Sequence, residues 1–64
     1  MKVRDVLDRL KDDGWWVVRT RSSHLVLKHP VKAGTVVVAG HPSKDLATGT
    51  LKSIWQEAEL EGQP

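Results

Sequence analysis

The chain contains no cysteine, which excludes disulfides and thiolate zinc sites. That absence constrains so short a sequence. A domain of 64 residues buries only about 60% of the surface its unfolded chain exposes. Chains this small often depend on disulfide or metal staples. Here the fold has to rest on a compact apolar core, alone or helped by a partner chain. The lack of thiols also fits a reducing cytoplasm. Long apolar runs are missing too, and nothing approaches the ~20 residues a membrane span needs. The start, Met1-Lys2-Val3-Arg4-Asp5, has no apolar run behind its charges, unlike a signal peptide. The expectation is a cytoplasmic protein with no membrane association. Repeats, linkers and low-complexity segments are absent, so residues 1–64 are expected to form a single domain.

Several chemical signatures are lacking as well. The sequence holds no Gly-rich phosphate loop, no paired-carboxylate arrangement and no recognisable serine triad. No Asp or Glu lies between residues 14 and 44. Of the three histidines, His24 and His29 are five apart in one predicted strand and so project to opposite faces. No metal site and no cofactor are expected from this set.

Charge is modest in sum but uneven in distribution. The formal net charge is +2, from ten Lys and Arg against eight Asp and Glu. All ten cations lie between Lys2 and Lys52, whereas Glu57, Glu59 and Glu61 crowd the C-terminal end. Residues 1–56 therefore carry ten cations and five carboxylates, a net +5. A basic body with an acidic tail suits a polyanionic partner such as nucleic acid. It is also what an ordinary solvated surface can look like.

Hydrophobic periodicity supplies the elements. Val3, Val6, Leu7 and Leu10 repeat at i, i+3, i+4 and i+7 among charged residues, predicting an amphipathic helix. Gly14 is placed to stop it. No Ser, Thr, Asp or Asn precedes it as a cap, so a frayed first turn is expected. Trp15 to Thr20 is aromatic and β-branched and predicts a strand. Arg21-Ser22-Ser23 reads as a tight turn. His24 to His29 alternates, with Leu25 and Leu27 on one side and His24, Val26 and Lys28 on the other. Pro30 to Gly34 is a second turn, and Thr35 to Ala39 a third, Val-rich strand. After a polar loop from Gly40 to Ala47, Leu51, Ile54, Trp55 and Ala58 repeat the helical pattern. Thr48 or Thr50 is a candidate cap for that helix, with Gly62 and Pro64 as its end.

The order is α-β-β-β-α. The fold class is α+β: a three-stranded antiparallel sheet with two helices burying their stripes on one face. Order and layering match the double-stranded-RNA-binding-domain type. The other sheet face then carries His24 and Lys28.

His24 is the first candidate for chemistry, because it opens the second strand beside the Ser22-Ser23 turn. Histidine is the side chain whose ordinary titration falls between pH 5 and 8. Metal-free RNA cleavage needs this, since a base must deprotonate a ribose 2′-hydroxyl and an acid must protonate the departing 5′-oxygen. Arg19, Arg21, Lys28, Lys32 and Lys44 form a cationic set able to hold phosphates. A solvated strand edge accounts for them equally well. Arg21, Ser23, Lys28 and His41 are the candidate RNA or phosphate contacts. His41, in Gly40-His41-Pro42, is either a second proton carrier or a loop-shaping residue. Trp55 is expected in the core. Of the adjacent Trp15 and Trp16 one should be core and the other exposed or covered by a partner, and the sequence leaves open which. An exposed indole can stack on a base, but packing against a partner is the commoner reason.

Gly14-Trp15 after a first helix, then Arg19, Ser23-His24 and His29-Pro30, resembles the HicA pattern. So does the later series of Val36-Val37-Val38, His41, Leu46, Gly49-Thr50-Leu51, Ile54 and Ala58. The resemblance runs from about Met1 to Leu60, and it rests on order and spacing together. It implies a toxin of a toxin–antitoxin pair, with the double-stranded-RNA-binding-domain fold. It implies a metal-independent endoribonuclease, an mRNA interferase, that cleaves mRNA and blocks translation. The family's catalytic histidine follows a Gly-Ser pair, which assigns general acid/base duty to His24. A HicB-type antitoxin is the implied partner, covering the active site. Two positions depart from the pattern. Ser22 stands where the family usually has glycine, and Trp16 where a polar residue is more usual. The residues taken alone leave two alternatives: a non-catalytic RNA-binding module of the same fold, and a protein-interaction domain.

Overall fold

A computed structural model describes residues 1–60 of the chain. Its elements are α1 (Val3–Asp12), β1 (Trp16–Arg21), β2 (His24–Lys28), β3 (Val36–Ala39) and α2 (Thr48–Glu57). The strands form one antiparallel sheet in the order β1-β2-β3. This is the expected α+β arrangement in the expected order, and the double-stranded-RNA-binding-domain type of layering agrees with it. The periodic residues do what their spacing predicts. Val3, Val6, Leu7 and Leu10 of α1 meet Leu51, Ile54, Trp55 and Ala58 from the second helix and its cap, over Leu27, Val36 and Val38 of the sheet. Both helix stripes thus close on the same sheet face.

The predicted strands shift by a residue at their ends. Trp15 lies outside β1 and Arg21 inside it, so the turn narrows to Ser22-Ser23. Trp15 is 1% exposed and belongs to the core, whereas Trp16 is 46% exposed. The reason is the end of α1. Gly14 takes a positive φ of 107°, its N–H donates to Lys11 C=O, and the Trp15 N–H donates to Leu10 C=O. That pair of bonds is a Schellman ending, which brings the residue after the glycine back onto the helix's apolar side. Trp15 is therefore folded under the sheet before the strand begins.

Neither helix starts as expected. The first turn of α1 lacks a side-chain cap, but its free N–H groups are satisfied by a distant loop. Val3 N–H donates to Lys44 C=O at 2.9 Å and Arg4 N–H to Pro42 C=O at 3.0 Å. Capping by tertiary carbonyls replaces capping by sequence, so the expected fraying is corrected. In α2, Thr48 and Thr50 both lie inside the helix, and the N-cap residue is Ala47, with no side-chain bond. The helix ends earlier than expected, with Ala58 as C-cap and Glu59 at a positive φ of 55°. Gly62 and Pro64, expected to end it, lie outside the described residues.

Candidate active site

Strand pairing determines which side chains share a face, because directly opposed residues project to the same side. In the β1–β2 ladder Trp16 opposes Lys28, Val17 opposes Leu27, Arg19 opposes Val26, Thr20 opposes Leu25 and Arg21 opposes His24. Between Val17 and Arg19 the register shifts by one, a β-bulge at Val18. In the β2–β3 ladder His24 opposes Ala39 and Val26 opposes Val37. Leu27, Val36 and Val38 are buried against the helices. The face away from the helices therefore carries Trp16, Arg19, Arg21, His24, Val26, Lys28, Val37 and Ala39.

The bulge decides how cationic that face is. Plain alternation from Trp16 would send Arg19 and Arg21 to the helix side, with Val17. The extra residue at Val18 resets the alternation and turns both guanidinium groups toward His24. Alternation in β2 predicts Lys28 on the His24 face and leaves Arg19 unassigned. Nothing in a Val17-Val18 pair announces a bulge. His24 itself is exposed, at the mouth of a hairpin whose first loop residue, Ser22, has φ 51°. That is the left-handed backbone a glycine supplies without strain, so the serine keeps the geometry that glycine usually provides.

Ser23 and His41 are brought together, but elsewhere. They line a cleft of about 360 Å³ with Ser22, Gly40 and Pro42, floored by Val3, Leu7 and Leu25. Leu25 belongs to the helix side of β2, so this cleft opens around the hairpin end from the face that holds His24. The Gly40 N–H donates to Ser23 C=O at 3.1 Å and ties the end of β3 to the turn.

Two residues prove to be structural. Lys32, one of the cationic set, has its ammonium 2.5 Å from Asp13 Oδ2 and donates to the carbonyls of Ala58 and Glu59 at 3.0 and 3.1 Å. It neutralises the carbonyl end of α2 and is not placed to contact a ligand on the open face. His29 is equally committed. Its Nδ1 accepts N–H bonds from Val31 and Lys32, both 3.0 Å, so its proton sits on Nε2. Nε2 donates to Asp13 C=O at 2.6 Å. The ring meets Trp15 edge-on, centroids 5.3 Å apart. A Cβ on Gly14 would stand 2.8 Å from His29 Nε2, so glycine is required there for space as well as for φ. Lys44 belongs to the loop before α2, packs along Gly40 and lines a pocket with Val37 and Ala39 beside β3. Among the described residues no three His, Asp or Glu side chains converge as a metal would require.

The fold and the site define a small α+β domain of RNA-binding-domain layering, with an open sheet face built from cations, one histidine and apolar side chains. The family model described as the HicA toxin of bacterial toxin–antitoxin matches residues 3–60. The chain belongs to that family, which makes it a toxin-type protein whose counterpart is an antitoxin. No curated protein matches it at a significant level. No helix among the described residues is long and apolar enough to cross a membrane.

Proposed function

We propose that the chain is a metal-independent endoribonuclease that cuts mRNA, with His24 as its general acid and base. The observation that carries this reading is one exposed imidazole directly across the ladder from Arg21, on a sheet face whose strand residues include no carboxylate. The chemistry is a transesterification. His24 takes the proton of a ribose 2′-hydroxyl, and O2′ attacks the adjacent phosphorus. The P–O5′ bond breaks, and the departing 5′-oxygen takes up the proton that His24 accepted. The product ends are a 2′,3′-cyclic phosphate and a 5′-hydroxyl. Proton transfer of this kind contributes about 10²- to 10⁴-fold in rate. Arg21, Arg19 and Lys28 hold the phosphates and offset the charge that builds on the phosphoryl oxygens. Among the described residues His24 is the one histidine on this face. His41 and Ser23 line the neighbouring cleft, which supports a role for them in touching the RNA as it rounds the hairpin end. A HicB-type antitoxin blocks cutting by covering the His24 face.

The test compares wild type with His24→Ala on end-labelled mRNA, with EDTA present. Wild type should cut and leave cyclic phosphate ends, and the variant should bind without cutting. Equal cutting by both proteins removes His24 from the mechanism. RNA that stays intact with wild type over hours, yet is bound in a salt-dependent way, identifies a binding module instead.

A further inference from the structure

Trp15 and Trp55 are core side chains, 1% and 5% exposed, whereas Trp16 stands 46% exposed on the sheet's open face. An indole left in water forfeits the free energy its burial would give. A chain this small has little to spare, so an exposed indole invites an occupant. Its surroundings say which kind. Trp16 is directly opposite Lys28, and the next pair on the same face is Arg19 with Val26, followed by Arg21 with His24. Val37 of the same face is also exposed, at 46%. The strand residues of this face are thus apolar side chains, cations and His24, with no carboxylate among them, and Asp45 lies beyond β3, in a pocket with Val37 and Ala39.

Single-stranded RNA matches both features at once. Its phosphates meet the cations, and its bases present π-faces to the indole. We propose that Trp16 is a stacking platform for a base of single-stranded RNA, a few nucleotides from the phosphate that meets His24. Lys28 is four residues from His24 along β2, about 13 Å at strand rise, and Trp16 faces Lys28 across the ladder. The strand runs along the face from the His24–Arg21 end to the Trp16–Lys28 end, with Arg19 between them. This inference rests on the nuclease reading and adds to it the strandedness of the substrate and its direction across the sheet.

The experiment uses the full chain and a 2′-O-methyl single-stranded RNA of about 12 nucleotides, within the range of known single-strand sites. That probe lacks the attacking hydroxyl, so binding is read without cleavage. Trp16→Ala should raise Kd about ten-fold and leave the salt dependence of binding unchanged, because stacking neutralises no phosphate. Trp16→Phe should recover most of the affinity. Saturating RNA should quench tryptophan emission in wild type but not in Trp16→Phe, since the remaining indoles are buried. On cleavable RNA, Trp16→Ala should raise KM and spare kcat. If Trp16→Ala binds the probe as wild type does, without loss of quenching, the stacking inference fails while cutting by wild type leaves the nuclease reading standing. Unchanged RNA affinity with weakened antitoxin binding makes Trp16 a protein contact and also overturns the inference. A wild-type chain that neither binds nor cuts RNA overturns both.

Discussion

At the residue scale, Ser22 and His29 show how single side chains hold the site's geometry. Ser22 occupies left-handed backbone at φ 51°, which costs a non-glycine residue about 1–2 kcal/mol. Part of that is returned because serine loses less freedom on folding than glycine, by about 0.5–1 kcal/mol. Ser22→Gly should therefore stabilise the fold by about 0.5–1 kcal/mol, seen as a Tm several degrees higher. A lower Tm would show that the turn stores no strain at this position. His29 acts at longer range, joining the α1–β1 corner to the loop after β2 through Asp13, Val31 and Lys32. His29→Ala strips two N–H groups of their acceptor and uncovers an edge of Trp15. The expected loss is about 2–3 kcal/mol, read from urea unfolding. A loss below about 0.5 kcal/mol would mean that this latch is idle. His29 was legible as a residue, within His29-Pro30, but not its role. Its partners are a backbone carbonyl sixteen positions earlier and N–H groups in a turn, and neither leaves a trace in composition.

At the element scale, the helix ends separate local from tertiary control. The stop of α1 was legible because Gly14 supplies its own reason, a φ that other residues resist. The start was not, because its donors are capped by carbonyls of residues 42 and 44. The α2 start lacks any such side-chain bond. Ala47 already has extended backbone, φ −66° and ψ 153°, which suits a capping side chain. Ala47→Asp should add about 1 kcal/mol, checked by thermal melting at low and high salt. An unchanged Tm in both would show that another group already caps these N–H donors. The strands divide in the same way. Alternation in β2 put His24 and Lys28 on one face, and the structure agrees. The same rule applied to β1 misplaces Arg19 and Arg21, because the Val18 bulge adds a step that alternation does not contain.

At the scale of the whole molecule, the basic body becomes a directed surface. The cations facing His24 are Arg19, Arg21 and Lys28, and Lys32 is withdrawn from the set by its bonds to α2 and Asp13. Binding of 2′-O-methyl single-stranded RNA should weaken with salt, with a log–log slope of about −2, as about three phosphate contacts to a single strand require. Arg19→Ala and Arg21→Ala should each reduce that slope by about 0.7. Thr20→Ala should leave it alone, because Thr20 opposes Leu25 on the helix side. If Thr20→Ala weakened binding as much as its neighbours, the bulge would not be orienting this strand as the pairing indicates.

The sequence by itself determined the element order, the apolar stripes and the face of β2 that stays open. Those depend on periods of 2 and 3.6 residues, which are properties of a chain read locally. It also determined the corner at Gly14, where one residue type answers one backbone need. Tertiary structure alone decided which tryptophan is covered, how the first helix is capped, why Lys32 is occupied and where Arg19 points. Each of these depends on pairing between segments far apart in the chain. In a sheet a single step of register reverses every side chain beyond it, so the identity of the cationic face was settled only when the strands met.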